Sequence, residues 1–545
     1  MFTTDSNEKS SELREEKVQF EHDEGSSVEL GANFDVDTEF KKYQEMGAEQ
    51  KQQGSFLTNL KRMEFPLDFE NKMIMVWLLG GFAAAGGILS GVDQSIISSA
   101  ALGLTDDLHP STSENSLISA LVPLGAVAGS LSITPISKFG RKTLLMISCL
   151  IYTVAGLVCG LAPNIGALYA GRFLLGLAIG QEGGGVGVYI AESVPSRFRG
   201  SVVGAYQFFI AFGEVLGFAI GAMFIDVHDG WRYMLGSSLV FSTILLIGLF
   251  FLPESPRFLA VNGKFGEAYN VFCRLRDVSL REYKIEFIQL VQAAEREREV
   301  RLTHSKSKAW IELFTVPRNR RALVYGVIMI SLGQLTGINA VMYYLSNLMG
   351  QIGFSPKNSV FMSLVGGAAL MFGTIPGVLY MDRFGRRVWG YNLVGFFIGL
   401  VLVGVGYLIP LDTHLAAAEG VYLTGLILYM GFFGSYACLT WVVPSESFSI
   451  GTRSQGMTIC SALLYLWAFV VTYNFNRMKV AMTYTGLTIG FYGGIAFLGF
   501  FYQLFFMYET RNKTLEEIDE LFEKPTMEHA KDNIRGVLRF WHLKK

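Results

Sequence analysis

The chain repeats itself. A short cationic signature, Lys138-Phe139-Gly140-Arg141-Lys142, returns 245 residues later as Arg383-Phe384-Gly385-Arg386-Arg387. Glu192, followed by Arg199-Gly200, returns 254 residues on as Glu446, followed by Arg453. Pro253-Glu254-Ser255 returns at a spacing of 255 as Tyr508-Glu509-Thr510. Three charged signatures in one order, at nearly one period and each just beyond a long apolar run, imply a duplicated chain whose two halves both cross a membrane. Many secondary transporters are built this way, with a site where the halves meet.

Composition agrees with a membrane setting. Of 545 residues, 51% are hydrophobic, 60 are Gly and only 17% are charged, too apolar for an ordinary soluble protein. A bilayer crossing takes roughly 20 apolar residues. Twelve such runs begin near Met73, Leu117, Thr143, Ile165, Ser201, Leu235, Arg321, Ser359, Gly390, Val421, Met457 and Tyr484. The fold class expected is an all-α membrane protein of twelve transmembrane helices in two pseudo-symmetric six-helix bundles. Residues 66–253 form the first bundle and 321–509 the second, joined by a charged loop over 254–320. In that loop Ile285, Ile288, Leu290 and Val291 recur near helical spacing, which predicts short amphipathic helices bracing the halves.

Lys138, Arg141 and Lys142, then Arg197 and Arg199, then Arg383, Arg386 and Arg387 occupy connections on one side, whereas residues 98–114 hold Asp106, Asp107 and Glu114 without Lys or Arg. The positive-inside tendency places both termini and the middle loop in the cytosol; Arg232, Arg477 and Lys479 run against it. Residues 1–65 and 510–545 are then cytosolic tails. The first 50 residues hold 14 Asp or Glu against five Lys or Arg, which reads as a disordered acidic tail. A net charge of −2 without a basic patch gives nucleic acid no footing. Cys149, Cys159, Cys273, Cys438 and Cys460 lie in apolar runs or the cytosolic loop, so no disulfide is expected. No nucleophile and base arrangement, metal-ligand cluster or phosphate loop is found, so neither enzyme nor cofactor is expected; the glycines at 183–187 sit inside a membrane helix, where small residues serve close packing. The lipid bilayer is the expected surrounding, and the plasma membrane the leading location, ahead of a vacuolar or other internal membrane.

Ionisable groups at membrane depth are expensive and therefore functional suspects. Asp93, Arg172, Glu182 and Glu214 fall in this class. For Glu182 and Glu214 a packed acid kept neutral by burial is an equal alternative.

Taken together, the motifs resemble those of the sugar porter family of the major facilitator superfamily. They are Gly171-Arg172 with Gly176 and Gly180; Tyr189, Glu192, Pro195 and Arg199-Gly200; Pro253-Glu254-Ser255-Pro256-Arg257; Gln334, Gly337, Asn339 and Tyr343-Tyr344; Asp382-Arg383-Phe384-Gly385-Arg386-Arg387; Trp441, Pro444, Glu446 and Arg453; and Thr514-Leu515-Glu516-Glu517. The resemblance covers residues 73–522 and implies the major facilitator fold. It implies a cytosolic gate in which Glu192, Arg199, Glu254 and Arg257 of one half are networked with Asp382, Arg386, Glu446 and Arg453 of the other. Partly exposed pairs are worth about 0–1 kcal/mol each, enough for a cluster to bias two states without locking either. The same resemblance assigns substrate contacts to Gln334, Asn339, Tyr343, Trp441 and Trp467, and proton coupling to Asp93 with Arg172.

Several sugar-contact positions depart from that pattern. Where the family carries amides or other polar groups, this chain has Glu214, Gly333, Leu370 and Leu466; Ala437-Cys438 stands for Gly-Pro, Ser137 for a loop acid and Tyr508 for Pro. Glu182 has no counterpart in the pattern. Lost amides weaken recognition of a common hexose, because a hydroxyl-binding site discriminates by pairing every buried polar group. Glu214 offers a carboxylate in their place. The expected function is transport of a small polyhydroxylated solute, a sugar or a polyol, by alternating access, with a proton as candidate co-substrate. Two alternatives stand beside it: a sugar receptor without net flux, and a carrier of a different small solute.

Overall fold

The computed structural model describes residues 35–53, 72–303, 306–449, 451–511, 513 and 515–540, with side chains described for all of these except 50–53, 196–201, 203, 300–303, 306–309, 382, 515–516 and 536–540. Six membrane helices make the first half: Lys72–Leu108, Thr112–Ile136, Arg141–Gly160, Ile165–Ser193, Ser196–Phe224 and Gly230–Leu249. Six make the second: Pro317–Gln351, Pro356–Phe384, Arg386–Gly406, Leu411–Ser447, Arg453–Thr485 and Gly486–Phe506. The last two follow as one apolar stretch of 54 residues, but at 1.5 Å per residue that is ~80 Å, more than twice a hydrocarbon core of about 30 Å. Thr483, with φ 62° and ψ 167°, breaks the stretch into two crossings.

Backbone-close packing repeats in both halves. Side chains added at Gly176 and Gly180 of the fourth helix would strike the carbonyls of Val122 and Ala126 on the second. In the second half, Gly373 of the eighth helix lies against the Gly431 carbonyl, and Gly434 of the tenth against the Leu370 carbonyl. Without a hydrophobic drive between helices in lipid, such small-residue approach is what holds membrane helices together.

Two membrane helices are interrupted where they face the centre. The first breaks at Ala85-Gly86, between Lys72–Ala84 and Gly87–Leu108. The seventh breaks at Thr336-Gly337, where Gly337 has φ 90°, a conformation that costs an L-residue but not glycine. The Thr336 carbonyl accepts the Tyr429 hydroxyl at 3.0 Å, so this buried break carries a partner.

The segment 254–320 forms helices Pro256–Val261, Phe265–Leu275, Arg281–Thr303 and Lys306–Thr315. Phe287, Ile288, Val291 and Ala294 are buried along the third of these, and Ile285 and Leu290 pack beside them. The acidic tail departs from the sequence expectation over Val36–Gln53, which is a helix. Its Val36, Phe40 and Tyr43 are buried, and both rings pack on Phe287, with Phe40 also against Tyr269. Lys284 reaches Asp37 at 2.6 Å. An apolar stripe within the acidic run was the signal, outweighed in composition by its charge. Residues 1–34 and 54–65 of that tail lie outside the described residues.

On the opposite face the halves are bonded to each other. Asn476 donates to Ser116 at 3.0 Å, the Ser346 N–H donates to Ser98 at 2.9 Å, and Lys357 pairs with Asp226. The cations that run against the charge pattern are accommodated there. Arg232 sits 3.5 Å from Asp107 and stacks on Trp231, while Arg477 and Lys479 lie over Tyr473 and Tyr484.

Candidate functional site

A cavity of about 100 Å³ lies between the halves, lined on its polar side by Gln94, Gln207, Glu214, Gln334, Asn339, Tyr343 and Thr440. Trp441, Tyr465 and Leu370 supply apolar wall. A smaller cavity of about 20 Å³ among Tyr407, Tyr422 and Tyr429 of the second half is almost wholly apolar and has too little polar surface for a hydroxylated solute.

The broken seventh helix sets the central polar groups. Gln334 is the penultimate residue of its first segment and Asn339 the second residue of the next, so the break brings the two amides together and sets Asn339 against Gln94 of the first helix. Gln94 donates from Nε2 to Asn339 Oδ1 at 2.9 Å, and Asn339 Nδ2 donates to Gln334 Oε1. This amide chain joins the two halves across the cavity. Glu214 is 3% exposed and its Oε2 has no hydrogen-bond partner. It is the one carboxylate among the residues lining this cavity.

Five of the six substrate contacts expected from the sequence, Gln334, Asn339, Tyr343, Trp441 and Glu214, come together in this cavity. Trp467 does not. Its indole N–H donates to Ser331 at 2.8 Å, which fixes the ring against the seventh helix, and the eleventh helix presents Leu464, Tyr465 and Ala468 to the cavity instead. Leu466 points outward, 39% exposed, so its apolar character does not impoverish the site. Gln94 and Gln207 are polar cavity residues that the sequence reading did not assign. Gln94 directly follows Asp93, which the sequence did single out; Gln207 stands in no motif of the sequence.

Asp93 and Arg172 pair at 2.5 Å with side chains 2% and 0% exposed, beside the cavity rather than on its wall. Arg172 also donates from Nε to the Ile118 carbonyl at 3.2 Å.

The repeated signatures converge on two matching corners at the face of the loop helices. In the first, Arg141 holds Glu192 through Nη2 at 3.0 Å and Nε at 3.1 Å, and Ser255 donates to Glu192 at 2.6 Å. Glu254 accepts the backbone N–H of Arg141 at 2.9 Å and of Lys142 at 3.0 Å, at the start of the third helix, where a carboxylate answers both the free N–H groups and the dipole. In the second, Arg386 holds Glu446 at 2.6 and 3.3 Å, Thr510 donates to Glu446 at 2.6 Å, and Glu509 accepts the N–H groups of Arg386 and Arg387 at 3.0 Å each. Burial drives the Glu254 carboxyl above its ordinary value, against the opposing pull of the three N–H bonds from Ser255, Lys142 and Arg141.

Among the described residues each cluster is bonded within its own half. In the second the expected Arg386 holds the expected Glu446, whereas in the first the cation on Glu192 is Arg141, which the expected gate did not include. Arg257 instead reaches Glu297 at 3.3 Å, and Arg453 donates to the Phe448 carbonyl at 3.3 Å. The side chains of Arg199 and Asp382 lie outside the described residues.

Two pseudo-symmetric six-helix bundles around a polar mid-membrane cavity define a major facilitator transporter. The chain belongs to the "Sugar (and other) transporter" family, which matches residues 29–522. It is 53% identical over 483 residues, 88% of this chain and 84% of the other, to the myo-inositol transporter FST1 of Gibberella moniliformis. It is 29% identical over 476 residues, 85% of this chain and 84% of the other, to myo-inositol transporter 2 of Schizosaccharomyces pombe. In fold it is similar to the proton:xylose symporter XylE bound to 6-bromo-6-deoxy-D-glucose, with a TM-score of 0.70 at 24% identity, covering 83% of this chain and all of the other. The protein is a membrane transporter of the sugar and polyol class. Its family membership places it outside the enzymes, and the receptor and different-solute alternatives are not favoured.

Proposed function

We propose that the protein carries a cyclic polyol, myo-inositol or a close stereoisomer, across the plasma membrane together with a proton, with both termini in the cytosol. The observation that carries the solute assignment is Glu214, a cavity-lining carboxylate with an unpartnered Oε2. A cyclohexane hexol presents a hydroxyl on every ring carbon, so it brings more donors than a hexose and suits a site with one strong acceptor. Hydroxyls donating to Glu214 would compensate its charge in place of a cation, and a charged acceptor strengthens each hydrogen bond it makes, roughly two-fold over a neutral one. Gln94, Asn339 and Gln334 would exchange their mutual bonds for solute hydroxyls, and Trp441 would cover the C–H face of the ring. The 53% identity to a myo-inositol transporter supports the same reading.

Asp93 and Arg172 would couple the proton. While Arg172 holds the carboxylate its charge is compensated; a proton is taken up when the Arg turns away. The corner clusters would stiffen the helix ends so that each half rocks as a unit.

Uptake of labelled myo-inositol, glucose and xylose by the purified protein in liposomes, with and without an inward proton gradient, tests the assignment. Accumulation of myo-inositol driven by the gradient is expected, with other cyclitols competing better than hexoses. Hexose or pentose uptake with no myo-inositol uptake overturns the substrate assignment, and myo-inositol uptake indifferent to the gradient overturns the coupling.

A further inference from the structure

One membrane-depth carboxyl takes no part in the site just described. Glu182, within the fourth helix Ile165–Ser193, is 2% exposed and lines no part of the central cavity. Its Oε2 accepts the Tyr206 hydroxyl at 2.9 Å, while Oε1 has no hydrogen-bond partner. That free oxygen lies against the break in the first helix: a side chain added at Gly86 would run into it. The other titratable groups facing Glu182 are Tyr206 of the fifth helix, Tyr465 of the eleventh, whose hydroxyl lies 2.8 Å from where a side chain at Gly183 would begin, and Cys149 of the third. Among the described residues it has no cationic partner.

The surroundings run directly to the solute cavity. Tyr206 packs edge-on against Trp441 of the other half, with ring centroids 6.5 Å apart at 79°. Trp441 and Tyr465 both line the cavity. A buried carboxylate holding one hydrogen bond and no cation is costly, and such a group inside a membrane is a functional suspect. Removing water from this pocket therefore favours the neutral acid, and admitting water at the helix break favours release of the proton. Rocking of the halves must alter the Tyr206 and Trp441 contact, because the two rings belong to different halves.

We propose that Glu182 is a second proton-carrying carboxyl of this transporter, seated at the break of the first helix and linked through Tyr206 to the Trp441 wall of the solute cavity. The step is a reversible transfer between hydronium and the carboxylate, giving water and the neutral acid. It rests on the proton coupling proposed above and adds a carrier distinct from Asp93.

The test measures proton flux and labelled myo-inositol flux together in liposomes for the wild type, E182Q and D93N, over a range of pH. In E182Q the proton-to-solute ratio is expected to fall by about half, as one of two carried protons is lost, and the pH profile of uptake to flatten on one limb. Should E182Q fail to insert, Tyr206→Phe keeps the carboxyl and removes its bond; the pH profile then moves to higher pH, because the lost phenol favoured the charged form. An unchanged ratio and profile in E182Q, with proton flux abolished in D93N, overturns this proposal alone. For Tyr206→Phe an unmoved profile does the same. Absence of proton flux in the wild type overturns both this and the coupling assigned to Asp93.

Discussion

Arg172 holds Asp93 at 2.5 Å in surroundings that leave the two side chains 0% and 2% exposed. One oxygen of the carboxylate and one Nη of the guanidinium remain without partners, so the pair is compensated in charge but not saturated in hydrogen bonds. Removing one member of such a buried pair leaves a bare charge, at a cost of about 3–5 kcal/mol. Asp93→Asn keeps the shape and should lose gradient-driven accumulation while still binding solute. Both variants should lower the detergent-solubilised melting temperature: Asp93→Asn leaves a guanidinium that cannot shed its charge, and Arg172→Ala leaves a carboxyl that only protonation can neutralise. Full gradient-driven uptake in Asp93→Asn would show that the pair is purely structural.

Glu214 is the acceptor that distinguishes this cavity. Replacing it by Gln restores an amide and turns charge-assisted bonds into neutral ones, a loss of about 1 kcal/mol. Glu214→Gln should raise the KM for myo-inositol roughly five-fold by that arithmetic, with glucose inhibiting relatively better. Competition uptake reads both, and an unchanged KM ratio between the two solutes removes Glu214 from solute selection.

Gly176 faces the Val122 carbonyl at a distance that admits no side chain. Gly176→Leu must therefore part the second and fourth helices; overpacking of this kind costs typically 1–3 kcal/mol. Thermal unfolding followed by size-exclusion chromatography should show it, whereas Gly187→Leu, with open space around its α-carbon, should melt like the wild type.

His529 stacks on Tyr508 with ring centroids 4.0 Å apart, and its Nε2 lies 3.3 Å from the Met507 carbonyl. Burial holds the imidazole below its usual value of 6.5, with Arg387 pushing the same way and the Met507 carbonyl opposing. A group depressed on docking stabilises the docked state above its free value, and that contribution disappears as pH falls through the docked value. The helix Thr526–Phe540 should thus loosen below about pH 6.5, seen as faster amide exchange after correction for intrinsic rates. His529→Gln should abolish that dependence; if it persists, another group governs the docking.

The duplication and the number of crossings were legible because spacing survives folding. Arg141 and Arg386, Glu192 and Glu446, Glu254 and Glu509 stand at nearly one period in the sequence and at matching corners in space. What spacing could not reveal was which partner each cation takes. Arg386 takes the expected Glu446, but in the first half the expected gate names Arg199 and Arg257, of which Arg257 turns to Glu297, and Arg141 of the repeated motif takes Glu192. Cavity membership suffered similarly on the eleventh helix, where a turn of one residue separates Tyr465 from outward Leu466 and Trp467 binds Ser331. Side-chain direction depends on helix rotation, which neighbours set. The docked helix Val36–Gln53 was hidden because only Val36, Phe40 and Tyr43 of its length are both large and apolar on the buried side.

That docked helix has a further consequence. It packs on the loop segment Phe265–Leu275, and Arg276 just beyond is tied to the Ser193 carbonyl at the end of the fourth helix, so it belongs mechanically to the first half. The segment Leu515–Glu523 is fastened to the second by Arg318 with Asp519 and by Arg321 with the Phe522 carbonyl. Each bundle thus bears its own rigid pointer on one side of the bilayer. A pair of fluorophores, one on either pointer, would behave as a protractor for the transport cycle, reporting the tilt between bundles without a label anywhere near the solute.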